Sequence, residues 1–243
     1  QLFFNAADII VVGQFVGHTA LAAVGSTGSL INLLVNVFVG LSVGTNVLVA
    51  RYYGARDAKH LHETVHTSVL TSVLSGTALI VIGLILAEPL LTLMGTPDDV
   101  LDQAALYMRI YFVGMPASML YNFGAAILRA VGDTKRPLYF LFISGIVNVI
   151  LNLVLVLVFH LGVAGVAIAT VTSQVISAVL VALCLIKTDA PYRLELKKLR
   201  IHKSKLLEII KIGLPAGMQG AVFSISNVLI QSSINSFGST VMA

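Results

Sequence analysis

The side chains most able to do chemistry in this sequence lie inside long apolar runs. Asp8 is the only acidic residue well inside any of these runs. A carboxylate in hydrocarbon costs about 2.5 to 3.5 kcal/mol on insertion scales, and such residues usually face a bundle interior that serves ions or substrates. Asn148 and Asn152, four residues apart, share one helix face, and Thr170 lies on the next run. These residues are candidate partners of Asp8.

The depths of these residues agree. At about 1.5 Å per residue, Asp8 lies roughly 13 Å below Gly17, where the outer end of its run is marked. Counted from His160 and Gly162, Asn152 and Thr170 each lie roughly 12 Å deep. Their oxygens suit a hard cation, and burial disfavours the ionised acid, which suits proton exchange equally. We therefore predict a Na⁺ or proton site formed by Asp8, Asn148, Asn152 and Thr170. The alternative for the amides and the hydroxyl is ordinary hydrogen bonding between helices.

A second pattern is typical of zinc metalloproteases. His62, Glu63 and His66 match H-E-x-x-H, which places two imidazoles on one helix face beside a glutamate. A catalytic zinc site also needs a third ligand and a shielded cavity. His60, Glu195 and His202 are candidates for that ligand. The alternative is an amphipathic helix entrance whose polar groups meet water and lipid headgroups.

The elements that position these residues are membrane-spanning helices. Of the 243 residues, 57% are hydrophobic and 11% charged, and mean hydropathy is +0.95. A soluble domain has about 25% charged residues. Apolar runs of about 20 residues predict an all-α polytopic membrane protein. We predict seven spans, the first truncated: residues 1–15, 30–50, 65–87, 104–128, 138–159, 163–186 and 206–237.

The charges between the spans predict the orientation. Fourteen of the 15 lysines and arginines follow spans two and four or lie at residues 187–211, and only Arg109 lies elsewhere. The positive-inside rule therefore predicts that these basic loops are cytoplasmic. Because the charges sit in short breaks and form no basic face, the pattern does not favour nucleic-acid binding. Cys184 is the only cysteine, so no intrachain disulfide is expected.

Three motifs resemble those of the multidrug and toxic compound extrusion (MATE) transporters. The first is GLSVG at residues 40–44 with ARYYGARD at 50–57, and the second is LRAVGDTKRP at 128–137. The third joins residues 148–152 to GVAGVAIAT at 162–170 and Gln174. The combination runs through nearly the whole sequence and covers about half of the family's twelve helices.

The resemblance implies two parallel six-helix halves in the full protein. Residues 1–187 would form the amino-terminal six-helix lobe, residues 188–205 a cytoplasmic basic linker, and residues 206–243 the truncated first helix of the second lobe. The family's coupling acid is matched by Asp8, and Tyr107 belongs to the same site. Asn152 stands where some members have aspartate, which leaves Na⁺ and H⁺ both open. No acidic residue follows Glu208, which favours the DinF-like branch.

The implied function is multidrug efflux by a secondary antiporter in the plasma (inner) membrane. It would export small organic cations or amphipathic drugs against inward Na⁺ or H⁺ flow, without enzymatic activity, a cofactor or an obligate protein partner. The alternatives are a flippase for lipid-linked precursors, whose relatives line their cavity with cationic residues, and the intramembrane zinc protease.

Overall fold

The computed structural model describes residues 2–237, and these form a bundle of helices. Residue 1, the start of the first predicted span, and residues 238–243, the end of the predicted segment 206–243, lie outside the described part. In chain order the helices are α1 (Leu2–Phe15), α2 (His18–Gly54), α3 (Ala58–Leu93), α4 (Asp98–Val113), α5 (Met115–Ala130), α6 (Lys135–Leu153), α7 (Gly162–Lys187) and α8 (Lys203–Asn235). A π-helical turn (Val154–Val158) extends α6, and a 3-10 turn (Leu196–Lys198) precedes α8.

The lengths and composition of these helices confirm the predicted class. Helices α2, α3, α7 and α8, and α6 with its π turn, are each long and apolar enough to cross a membrane, and α4 with α5 forms a further, bent span. Helix α1, with 14 residues, corresponds to the first predicted span. The protein is therefore an all-α, multi-pass membrane protein.

The predicted fourth span is two helices. The axes of α4 and α5 meet at an angle of 50° across Gly114. Pro116 occupies the first turn of α5, where proline is tolerated because its missing N–H has no intrahelical partner. A Cβ at Gly114 would lie 2.7 Å from Oε1 of Gln174, so glycine allows α7 to pack against the break.

The predicted bounds of the second and third spans are too short. Helix α2 begins at His18 rather than at residue 30, and α3 covers 36 residues rather than 23. The small polar residues of the predicted break after α1 lie within α2. Ser26 and Thr27 donate hydrogen bonds to the carbonyls of Ala23 and Val24, three residues back. Their hydroxyls are therefore satisfied inside the helix and do not end it.

Four glycines bring α2 and α8 into backbone contact. A Cβ on Gly40 would collide with the backbone of Gly217, and one on Gly213 would lie 2.6 Å from the Cα of Leu41. A Cβ on Gly44 would collide with the carbonyl oxygen of Ile209 on α8. Gly40 and Gly44 on α2, and Gly213 and Gly217 on α8, are each four residues apart, so two small-xxx-small pairs face each other across one interface.

Helices α2, α5 and α7 end, and helices α3, α6 and α8 begin, at the same end of the bundle. We call this the basic end. The segment between α7 and α8 packs there against the start of α3. Leu194 is buried, and the backbone N–H of His202 donates to Thr67 Oγ1 at 3.0 Å. Helix α8 begins at Lys203, inside the predicted linker 188–205. The division into lobes stays a prediction.

Candidate functional site

Asp8 is fully buried in the bundle, with 0% of its surface exposed. It lies on α1, which contacts α2, α6 and α7. Val11 and Val12, one turn further along α1, belong to the apolar core beside Val166 and Ala167 of α7. An ionised carboxylate in such surroundings needs hydrogen-bond donors, because desolvation otherwise disfavours its charge.

Side chains from three other helices supply these donors. Nδ2 of Asn152 on α6 donates to Oδ1 of Asp8 at 2.7 Å. Oγ1 of Thr170 on α7 donates to Oδ2 at 2.7 Å, and the hydroxyl of Tyr107 on α4 donates to the same oxygen at 3.4 Å. Both carboxylate oxygens therefore have partners, and all three partners are neutral.

Asn148 lies behind these donors. Its Nδ2 donates to Thr170 Oγ1 at 3.3 Å, and its Oδ1 accepts from Asn152 Nδ2 at 3.4 Å. The structure thus brings together all five residues predicted for this site, with Asn148 positioning two of the partners. The π turn begins two residues after Asn152, and π turns inside helices are frequent at functional sites.

The amide of Asn152 has one atom available for a further ligand. Its Oδ1 is buried and has no hydrogen-bond partner in the described part of the chain. Rotation of the amide by half a turn would bring Oδ1 to the position that Nδ2 holds beside Asp8. Carboxylate, amide and hydroxyl oxygens would then face one another, which is a donor set that suits a hard monovalent cation. The residues present therefore fit Na⁺ as well as a proton.

A tyrosine pair separates this site from a cavity of about 260 Å³ between α1, α2 and α4. Tyr107 stacks against Tyr111, with ring centroids 6.0 Å apart. Ile9, Gly28 and Asn32 contribute to the same cavity wall. The sequence reasoning missed Tyr111. Its spacing of four residues from Tyr107, which places both on one face of α4, was the available signal.

The zinc motif lies at the basic end, where its second histidine joins α3 to the segment before α8. His66 is buried; its Nδ1 donates to the carbonyl of His62 at 2.8 Å. Its Nε2 accepts the backbone N–H of Glu195 at 3.0 Å. Both ring nitrogens are therefore engaged, and His66 has no lone pair left for a metal ion. The ring of His62 stacks on it at 3.8 Å.

Two of the three candidate third ligands, His60 and Glu195, form ion pairs, and His202 lines the same groove as His62 and Glu63. His60 pairs with Asp57 at 2.6 Å, and Glu195 pairs with Lys198 at 2.7 Å. The hydrogen bond from Lys198 is the main reason why the pKa of Glu195 lies below its usual value. Among residues 2–237, no three histidine, cysteine, aspartate or glutamate side chains are arranged to hold a metal ion. The geometry gives the zinc-protease alternative no support.

Comparison with known proteins decides the family. The sequence matches the MatE family over residues 1–154. The chain belongs to the MATE family. A relative named "Probable multidrug resistance protein YoeA" of Bacillus subtilis (strain 168) is 34% identical over 97% of this chain and 52% of its own length. The "Probable multidrug resistance protein YpnP" of the same strain is 29% identical over 100% and 54%.

A solved MATE structure has the same fold. It is described as the inward-facing conformation of a multidrug resistance MATE family transporter of the MOP superfamily, and it covers 99% of this chain with a TM-score of 0.89 and 26% identity. This chain covers 55% of that structure and about half the length of the curated relatives. MATE proteins are transporters rather than enzymes and need no cofactor. The expected family is confirmed, while the DinF-like branch stays a prediction.

Proposed function

We propose that this chain contributes the first lobe, and the first helix of the second, to a secondary antiporter that exports amphipathic and cationic organic compounds. Membership of the MATE family and relatives named multidrug resistance proteins support this function. Inward flow of Na⁺ or H⁺ would drive the export. Small organic cations or amphipathic drugs and the lipid bilayer are then the partners, with no nucleic acid and no obligate protein partner.

The buried carboxylate of Asp8 carries the coupling part of the proposal. With three neutral donors around it, the site has a single negative charge. One proton or one monovalent cation would neutralise it. Neutralisation weakens the hydrogen bonds from Asn152 and Thr170, because their acceptor loses its charge, and α1 would then change its packing against α6 and α7. A compound that prefers one of these packings would be released when the ion binds, because coupling acts through differential affinity for two states.

The cavity beside the tyrosine pair favours amphipathic compounds over lipid-linked anions. All nine residues that line it are uncharged. A flippase for lipid-linked precursors would be expected to line its cavity with cations, so this wall supports the multidrug alternative. Neutral, partly aromatic walls bind organic compounds through shape and apolar contact.

We further propose that the protein lies in the plasma (inner) membrane with its basic end in the cytoplasm. The charge distribution supports this orientation, since Arg109 is the only lysine or arginine away from that end. Asp8, seven residues before the end of α1, then lies in the outer half of the bundle. A coupling ion would reach it from outside, as inward flow requires.

Substitution of Asp8 by asparagine tests the proposal. The full-length gene product is reconstituted in vesicles, and efflux of a fluorescent organic cation is measured under an imposed Na⁺ or H⁺ gradient. We expect Asp8→Asn to lower gradient-driven efflux by about 100-fold, near the upper end of typical coupling free energies. Asp102→Asn, at an exposed position of α4, is the matched control and should transport normally. Normal efflux by Asp8→Asn would refute the coupling role.

A further inference from the structure

A groove of about 590 Å³ lies between α6 and α7 at the basic end, away from the Asp8 site. Phe140 of α6 and Leu180 and Leu183 of α7 form its apolar wall. Leu183 is 43% exposed, although it lies within an apolar span, so this wall faces the lipid rather than the interior. An acyl chain can therefore lie along it.

Two basic side chains stand at the mouth of this groove. Arg136, in the first turn of α6, places Nη1 3.6 Å from Sγ of Cys184 inside the groove. Asp133 contacts the guanidinium at Nε, 3.3 Å away, which leaves the Nη edge toward the groove. Lys187, the last residue of α7, has no acidic group within 4 Å in the described part of the chain.

The acidic residue at the groove does not neutralise this pair. Asp189 also lines the groove, but its side chain is fully exposed and lies 3.9 Å from Arg193. Arg136 shares its charge with Asp133 at Nε, while its Nη edge and the ammonium of Lys187 stay open to the groove, where α6 begins and α7 ends. Basic pockets between membrane helices are suited to anionic headgroups.

We propose that this groove binds one anionic phospholipid. The phosphate lies between Arg136 and Lys187, and an acyl chain follows Phe140, Leu180 and Leu183. A free phosphate would use only the mouth and leave the apolar wall uncovered. A zwitterionic lipid would cover the wall, but its cationic group would oppose the two basic side chains. The structure therefore favours an anionic lipid over both.

Cys184 reports directly on occupancy because its thiol lines the groove. The purified full-length protein is placed in nanodiscs of phosphatidylcholine alone or with phosphatidylglycerol. Labelling by N-ethylmaleimide is followed on the peptide that contains Cys184, so other cysteines do not interfere. We expect phosphatidylglycerol to slow labelling severalfold. Inorganic phosphate added to the phosphatidylcholine discs should have no such effect.

Charge variants separate a bound lipid from a general effect of the anionic surface. Each basic group near a membrane surface strengthens anionic-lipid binding by roughly five-fold. Arg136→Gln with Lys187→Gln should therefore abolish the protection, whereas Lys187→Arg, which keeps the charge, should retain it. Arg200→Gln, at an exposed position outside the groove, is the matched control and should also retain it.

Three results would overturn the proposal. These are equal labelling in the two lipid compositions, protection that survives the double substitution, and protection by inorganic phosphate alone. If the double variant unfolds, a second pair settles the question: Lys187→Gln alone should weaken protection, and Arg200→Gln should not. Equal protection in these two variants would contradict the site.

Discussion

Two buried polar clusters in this bundle look alike in sequence but differ in their chemistry. Around Asp8, neutral donors surround one carboxylate, and Asn152 Oδ1 remains without a partner among the described residues. Both ring nitrogens of His66 have partners, while Nε2 of the stacked His62 has no hydrogen bond among the described residues and lies 3.6 Å from Oε1 of Glu195. The ring of His66 joins two segments through its two hydrogen bonds, whereas the Asp8 cluster has one charge beside a spare oxygen and could exchange an ion. The partners of each group, rather than residue type, separate the roles proposed for Asp8 and His66.

The basic end and the Asp8 cluster also differ in how their buried charges are compensated. Lys205, in the first turn of α8 at the basic end, is buried but donates to the hydroxyl of Tyr52 at 2.6 Å and lies 3.4 Å from Glu208. Its charge is therefore compensated within α2 and α8. Asp8 has no cationic partner within 4 Å in the described structure. Only the Asp8 cluster has a charge left for an incoming ion.

Among the substitutions that keep Asp8 in place, removal of the Thr170 hydroxyl should have the largest effect on ion binding. Thr170→Val deletes the donor 2.7 Å from Asp8 and keeps the side-chain volume. A hydrogen bond to a charged group contributes about 2 kcal/mol, so the half-saturating concentration of the coupling ion should change by roughly thirty-fold. Ion titration of vesicle transport measures this. Thr170→Ser, which keeps the hydroxyl, should change it little, and equal effects of the two variants would contradict the role.

Substitution of His66 should affect stability and leave transport per folded molecule unchanged. His66→Ala leaves the backbone N–H of Glu195 without its buried acceptor, a loss of about 1.5 kcal/mol. Thermal unfolding in detergent measures the loss. His18→Ala, at an exposed position, is the control. Bound zinc in the purified protein, lost on His66→Ala, would instead revive the protease alternative.

The smallest effect concerns pH at the basic end. Because Lys198 lowers the pKa of Glu195 below 4.5, the folded state binds a proton at this carboxyl less readily than the unfolded chain. The contribution of Glu195 to stability is therefore complete above about pH 4.5 and is lost as pH falls through the folded-state pKa. Unfolding measured from pH 7 to pH 3 should show a shallower acid loss for Glu195→Gln. Identical profiles would contradict this contribution.

Much of the fold and most of the Asp8 site follow from the sequence. Apolar runs predict membrane-spanning helices because lipid offers no hydrogen bonds to backbone N–H and C=O groups, which must therefore pair within a helix. Depth counting works for Asp8, Asn152 and Thr170 because helices have a constant rise and their ends are marked by turns. The residues placed by depth converge on one point, together with Tyr107, which only the family resemblance indicated.

Other features depend on tertiary contacts that no local pattern contains. The predicted start of the second span was wrong because Ser26 and Thr27 are typical of breaks between helices. In the structure their hydroxyls donate hydrogen bonds to carbonyls of α2 itself. Asn148 forms hydrogen bonds with Thr170 and Asn152 rather than with Asp8 because of how α6 is rotated about its axis, which the spacing of residues does not predict. The role of His66 depends on Glu195, which lies 129 residues away in sequence. A spacing motif predicts which side chains share a face but not what that face meets.

The most direct test of the account is whether the carboxyl of Asp8 itself binds the coupling ion. Infrared difference spectra of the full-length protein, recorded on addition of Na⁺ or acid, report changes at carboxyl groups. The account predicts a carboxyl signal that persists in Asp102→Asn and disappears in Asp8→Asn. The same signal in Asp8→Asn would show that the ion binds elsewhere and would contradict the account.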